Sequence, residues 1–127
     1  EKDYQQLYLV KKFITKKYKI KIISCRTIRN KNKLALSSRN FHLDKKDFIT
    51  AEKISQNLFF FKKNINKEKN IIKSIDNKKI ELIRLFNIKI EYLELRNLIN
   101  FRKTKIIKNS RLFFAYYLNN IRLIDNY

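Results

Sequence analysis

Apolar positions recur along this chain with two different periods. Over residues 3–17, Leu7, Val10 and Ile14 return at helical spacing with Phe13 beside them, while the Lys residues fall mainly elsewhere. That pattern predicts an amphipathic helix. Asp3 stands where its side chain can cap the helix, and a carboxylate suits the positive end of the dipole. The next stretch, Tyr18-Lys19-Ile20-Lys21-Ile22-Ile23, alternates and then turns apolar, which predicts a strand. A helix feeding a strand through almost no loop is the second half of a βαβ crossover. Asp44 and Asp47 have capping-box spacing, with Asp in place of the usual Glu, and predict a second helix to about Phe61. Ile54, Leu58 and Phe61 share one face of it. Residues 62–70, rich in Lys and Asn, read as loop, and Ile71 to Phe86 as a third helix with an irregular stripe of Ile72, Ile75, Leu82 and Leu85. Strands are expected at 88–95, 111–118 and 122–125, and the unbroken apolar run from Leu112 to Tyr117 should be central in the sheet. The fold class is α+β: a small domain of helices packed on an antiparallel sheet over residues 41–127.

Composition changes less than its extremes suggest. A chain of 127 residues has room for one modest core, or a small domain and a piece of another. A formal charge of +20 would ordinarily point to nucleic acid or an anionic surface. Yet 23 Lys, 20 Ile and 15 Asn, with no Gly, Pro, Met or Trp, are the residues of A/T-rich codons. Genomic drift therefore accounts for the charge, and a basic nucleic-acid-binding module is the alternative that composition alone supports. Cys25 is the only cysteine, so no intrachain disulfide forms. No apolar run approaches a membrane span, and the first residues form no signal peptide. A soluble, cytoplasmic protein with no membrane partner is expected. Without Met, and opening in mid-motif, the sequence reads as a piece of a longer chain.

The segment Leu34-Ala35-Leu36-Ser37-Ser38-Arg39-Asn40 carries the candidate chemistry. Ser and Asn compete with the backbone for hydrogen bonds and so favour loops and caps, which is the ordinary explanation of such a stretch. The same groups also suit an anion, because two hydroxyls can each donate to a phosphate oxygen and a guanidinium fork grips it at two points. Lys2 precedes a helix N-terminus, an unfavourable place for a cation unless an anion sits there too. His42, the only histidine, has no second ligand nearby and reads as a surface side chain. Arg29 and Lys31 to Lys33 make a basic, solvated loop. There is no glycine-rich phosphate loop, zinc pattern or hydrolase triad, and no internal repeat.

Three motifs in order, EKDxQQL from Glu1, LALSSRNxxL from Leu34 and RLIDN from Arg122, resemble the C-terminal half of the pantothenate synthetase (pantoate–β-alanine ligase) family. The likeness is dense over 1–61, thin over 62–87, and returns at Tyr92-Leu93-Glu94-Leu95 and the last strand. It implies an ATP-dependent, AMP-forming acid–amine ligase that condenses pantoate with β-alanine through a pantoyl adenylate. It implies that residues 1–24 end a Rossmann-like α/β nucleotide-binding domain, as its last helix and strand. Residues 25–40 would be hinge and phosphate-binding loop, and 41–127 the C-terminal α+β domain. By position, Glu1, Lys2, Asp3, Ile28, Leu36, Ser37, Ser38 and Arg39 would belong to the ATP site, and Gln6 would contact pantoate. The family's histidine motif, and its Mg²⁺ and other pantoate contacts, lie in an N-terminal half absent from this sequence. No catalytic or metal residue is therefore expected here, and the isolated chain should be inactive, or a decayed remnant. The complete protein would be a homodimer with no specific nucleic acid. The family usually has glycine where this chain has Lys33, which puts the local turn in doubt because Lys enters positive φ only at a cost.

Overall fold

The computed structural model describes residues 1–127, the side chain of Lys16 excepted. Helix α1 spans Tyr4–Tyr18 and is capped by Asp3, whose Oδ1 accepts from the Gln6 N–H at 3.3 Å. Lys19 closes it in the left-handed region at φ 51°. The strand expected over 18–23 does not form: Tyr18 is the last residue of α1, and residues 19–28 carry neither helix nor strand. Alternation makes a strand only where a neighbour takes its N–H and C=O groups, and no other strand of this chain pairs with it.

The segment 28–36 folds back on itself. Arg29 and Ala35 form an isolated antiparallel bridge, and the Leu36 N–H donates to the Ile28 carbonyl at 2.9 Å. Asn30 Oδ1 accepts from the N–H groups of Asn32 and Leu34, both at 3.0 Å, and so shapes the turn from within. Lys33 sits at φ 70°, so the turn survives its departure from glycine by holding a lysine in the left-handed region. A chain with no glycine must do this repeatedly. Of the six positive-φ residues among those described, three are Asn87, Asn109 and Asn119, the residue type that tolerates the region best after glycine.

Helix α2 spans Lys45–Asn64, with Asp44 Oδ1 accepting from the Asp47 N–H at 2.7 Å. It runs about a turn beyond the expected end at Phe61, and a 3-10 turn at Ile65–Lys67 then buries Ile65, so most of the expected loop 62–70 is structured. Helix α3 spans Ile71–Phe86 as expected. Its buried residues are Ile75 and Leu82, two turns apart on one face, whereas Ile72 and Leu85 are 55% and 59% exposed. The irregular stripe was a straight one with two outward residues added.

Strands β1 (Lys89–Asn97), β2 (Ser110–Leu118) and β3 (Ile121–Asn126) form an antiparallel sheet in the order β1-β2-β3, with β2 central. The continuous apolar run of β2 is explained by cover on both faces. Leu112, Phe114 and Tyr116 join Ile54, Leu58 and Leu82 in the main core under α2 and α3. Phe113 points the other way, 5.9 Å from the Tyr4 ring and 5.2 Å from Phe101, and brings the start of α1 against the opposite face. Three helices thus pack on a three-stranded antiparallel sheet. Among the described residues, no helix is long and apolar enough to cross a membrane.

Candidate functional site

The end of β3 ties the chain's opening to the segment 28–40. Asp125 is 7% exposed, and a buried carboxylate needs a partner. Arg29 supplies it as a fork, with Nη1 and Nη2 donating to Asp125 Oδ2 and Oδ1 at 2.7 and 2.8 Å. The same guanidinium donates to the carbonyls of Lys33 and Asn126, both at 2.8 Å, and lies over the Tyr127 ring. Burial opposes the Arg29 charge, but Asp125 outweighs it and holds the guanidinium pKa above its ordinary value. Arg29 is therefore a structural clamp, not the solvated loop residue expected.

Asn126 holds the opening residues. Its Nδ2 donates to the carbonyls of Glu1 and Lys2 at 3.0 and 2.8 Å. Arg111 donates to Glu1 Oε2 at 3.0 Å, and that hydrogen bond keeps the Glu1 carboxyl below its usual range. Lys2 Nζ is left to reach the Leu36 carbonyl at 3.3 Å, which joins the opening motif to the serine loop. Burial pushes the Lys2 ammonium pKa down, Asp125 opposes this, and neighbouring Arg39 and Arg29 push it down further. Of these three cations only Arg29 forms a salt bridge among the described residues. An anion placed between Lys2 and Arg39 would relieve their repulsion.

Beyond Leu36 the chain makes a 3-10 turn over Ser38–His42, where no helix was expected. Ser37 caps it, Oγ accepting from the Arg39 N–H at 3.3 Å, as an ordinary capping loop would. Ser38 and Arg39 are exposed, as is His42. Ile28, 70% exposed, adjoins Leu36 through the backbone bond already described. Lys2, Ile28, Leu36, Ser37 and Arg39 thus gather at one place. Asp3 and Gln6 lie at the start of α1, where the Asp3 side chain accepts from the Gln6 N–H and the Asp3 carbonyl from the Leu7 N–H at 3.1 Å.

Comparison with known proteins decides the family. The model of the family described as pantoate-beta-alanine ligase matches residues 1–127. The chain belongs to the pantoate–β-alanine ligase family. Pantothenate synthetase of Flavobacterium psychrophilum is 36% identical over 131 residues, covering 99% of this chain and 46% of that protein. That of Buchnera aphidicola subsp. Schizaphis graminum is 39% identical, with 99% and 45% covered. This chain spans about half the length of the curated relatives it matches. Pantothenate synthetase from Thermus thermophilus has the same fold, with a TM-score of 0.87 at 24% identity over 100% of this chain and 47% of that one. The pantoate-beta-alanine ligase of Francisella tularensis, whose structure is a complex with beta-gamma ATP and beta-alanine, aligns at TM-score 0.63 and 32% identity, covering 100% and 41%.

In this family member the residues that sequence reasoning missed are the ones that hold the others. Asp125 and Asn126 were visible only as part of RLIDN, and Arg29 only as one basic residue among several. One signal was present: an acid in an apolar strand requires a cation, and an Arg can supply a planar fork. A larger cavity, of about 620 Å³, runs along α1 past Tyr4, Tyr8 and Lys11 to Ile99 and Arg102. It contains none of the gathered residues, so size does not locate the site.

Proposed function

We propose that these residues form the C-terminal part of an ATP-dependent ligase that joins pantoate to β-alanine. In the first step a pantoate carboxylate oxygen attacks the α-phosphorus of ATP and pyrophosphate leaves. In the second the β-alanine amine attacks the acyl carbon of pantoyl adenylate and AMP leaves. Such chemistry asks the protein for charge neutralisation and alignment. The observation that carries the reading is the Lys2–Leu36 contact, which sets the cation of EKD beside the SSRN turn. In this reading Lys2 and Arg39 neutralise the phosphates and Ser37 and Ser38 donate to them, with Glu1, Asp3, Ile28 and Leu36 completing the ATP site through backbone and packing. Gln6, one helical turn after Asp3, addresses pantoate.

The division into residues 1–24, 25–40 and 41–127 belongs to the same proposal. Phe13, Ile20 and Ile23 are exposed at 60%, 48% and 78%, which supports reading residues 1–24 as the edge of a larger nucleotide-binding α/β domain. The described residues contain no cluster of three His, Cys, Asp or Glu side chains. Mg²⁺ is commonly held by one or two carboxylates together with substrate phosphates, and in this reading its protein ligands belong to the N-terminal half. Cytoplasmic location and a homodimeric parent rest on family membership alone. The test is pantoate-dependent exchange of labelled pyrophosphate into ATP by the chain together with its N-terminal portion. Exchange without β-alanine, and pantothenate formation with it, is expected; a complete chain with no pantoate-dependent exchange would sink the proposal.

A further inference from the structure

Behind the Ser38–His42 turn is a small cavity with about 10 Å³ for the centre of a water molecule. That is about the least that holds one water, and it excludes anything larger. Asn40 and Tyr116 both line it and are 9% and 2% exposed. Asn40 Nδ2 donates to the Ala35 carbonyl at 3.0 Å, which settles which end of the amide is nitrogen. Asn40 Oδ1 and Tyr116 Oη are the two buried side-chain atoms with no partner among the described residues. Burial also drives the Tyr116 pKa far up, so the phenol keeps its O–H donor. An unmatched acceptor and an unmatched donor therefore line one cavity and do not bond each other.

We propose that a single buried water molecule bridges them, accepting from the Tyr116 hydroxyl and donating to Asn40 Oδ1. Buried waters take two to four polar partners, and Lys2, Ser55 and Asp125 complete the polar lining. A monovalent cation is disfavoured because the Lys2 ammonium lines the cavity and Asp125, its one carboxylate, is already paired with Arg29, and halide or phosphate does not fit the volume. The water pins the turn to the central strand. Asn40 also holds that turn through its backbone, N–H to the Ser37 carbonyl at 3.1 Å and carbonyl to the Leu43 N–H at 3.3 Å. That the pinned turn serves a phosphate-binding loop rests on the ligase proposal; the water itself does not.

A crystal structure of the wild-type protein at a resolution that shows waters is the direct test. One water within about 2.6–3.2 Å of both atoms is expected. A dry cavity, or Asn40 Oδ1 bonded directly to Tyr116 Oη, would overturn the proposal. Amide hydrogen exchange of Tyr116→Phe gives a second readout: the Asn40 and Leu43 amides should exchange about five- to tenfold faster than in wild type. Equal rates in a folded variant count against the bridge, and the wild-type crystal structure decides if the variant does not fold. Neither measurement reads ATP, so a protein that holds the water yet binds no nucleotide would sink the ligase proposal alone.

Discussion

Arg29 and Asp125 meet through two hydrogen bonds of 2.7 and 2.8 Å, with side chains 18% and 5% exposed, whereas Ser38, Arg39 and Gln6 stand in solvent a short way off. The first group satisfies itself: every charge of the clamp has a partner within the chain, and Asn126 fastens the chain's opening to it. The second group contributes little to the fold. Lys2 lies between them, half-buried and touching only a carbonyl with its ammonium. Interactions closed within the protein should govern stability, and groups left open should govern binding. That division is what mutation can break.

The largest effect is expected on the closed side. Asp125→Ala leaves the Arg29 guanidinium buried without its carboxylate, and breaking such a pair costs about 3–5 kcal/mol. Urea denaturation of the wild-type and Asp125→Ala chains measures this directly. A loss under ~1 kcal/mol would place the clamp among surface ion pairs, which contribute little. On the open side, Arg39→Ala in the complete enzyme should lower adenylate formation on the order of 10²-fold, as for removing one preorganised donor. Its denaturation midpoint should hardly move, since surface substitutions usually stay within about 0.5 kcal/mol. An Arg39→Ala enzyme that adenylates normally would reduce the serine turn to a cap. An unfolded one would erase the distinction between the two sides.

Gln6 sharpens the comparison at intermediate size. As a mere surface residue of α1, Gln6→Ala should be silent or slightly stabilising, because Ala is the better helix former. As a pantoate contact its loss leaves a substrate hydroxyl or carboxylate poorly paired in a closed site. That costs roughly 1–3 kcal/mol, or about 5- to 150-fold in pantoate affinity with ATP affinity little changed. Binding of both ligands to wild-type and Gln6→Ala versions of the complete enzyme separates the readings, and equal pantoate affinities would remove Gln6 from the site.

What the residues disclosed in advance follows the same line. Periodicity located α2, α3 and the strands because they bury apolar faces. It located α1 on a stripe of Leu7, Val10 and Ile14 that is half-buried, and the unbroken apolar run of β2 told its central place. It failed at 18–23, where alternation had no neighbouring strand, and at Ile72 and Leu85, apolar residues that face water. The open groups were legible because motifs keep them: Lys2, Ser37, Ser38 and Arg39 stand in short contiguous stretches. The clamp was not, because its partners are 96 residues apart in the chain. No local pattern distinguishes Arg29 from Arg26, and only the fold brings one of them to Asp125.

The smallest effect concerns Lys33, which sits in the same turn as the clamp and should respond in the opposite direction. At φ 70° a lysine bears a steric cost that glycine avoids, on the order of 1–2 kcal/mol. Glycine adds backbone freedom to the unfolded chain, which takes back roughly 0.5–1 kcal/mol. The change also removes the Lys33 ammonium from its place 5.1 Å from the Phe59 ring centroid, a half-exposed contact that contributes about 0.5 kcal/mol. Lys33→Gly should therefore shift stability by no more than about 1 kcal/mol, most often upward, with the Lys33 carbonyl still accepting from Arg29 at its present 2.8 Å. Thermal unfolding of the two chains side by side measures it. A loss above ~1 kcal/mol would mean that the lysine side chain, not its backbone, holds the turn, and would move Lys33 onto the closed side of the site.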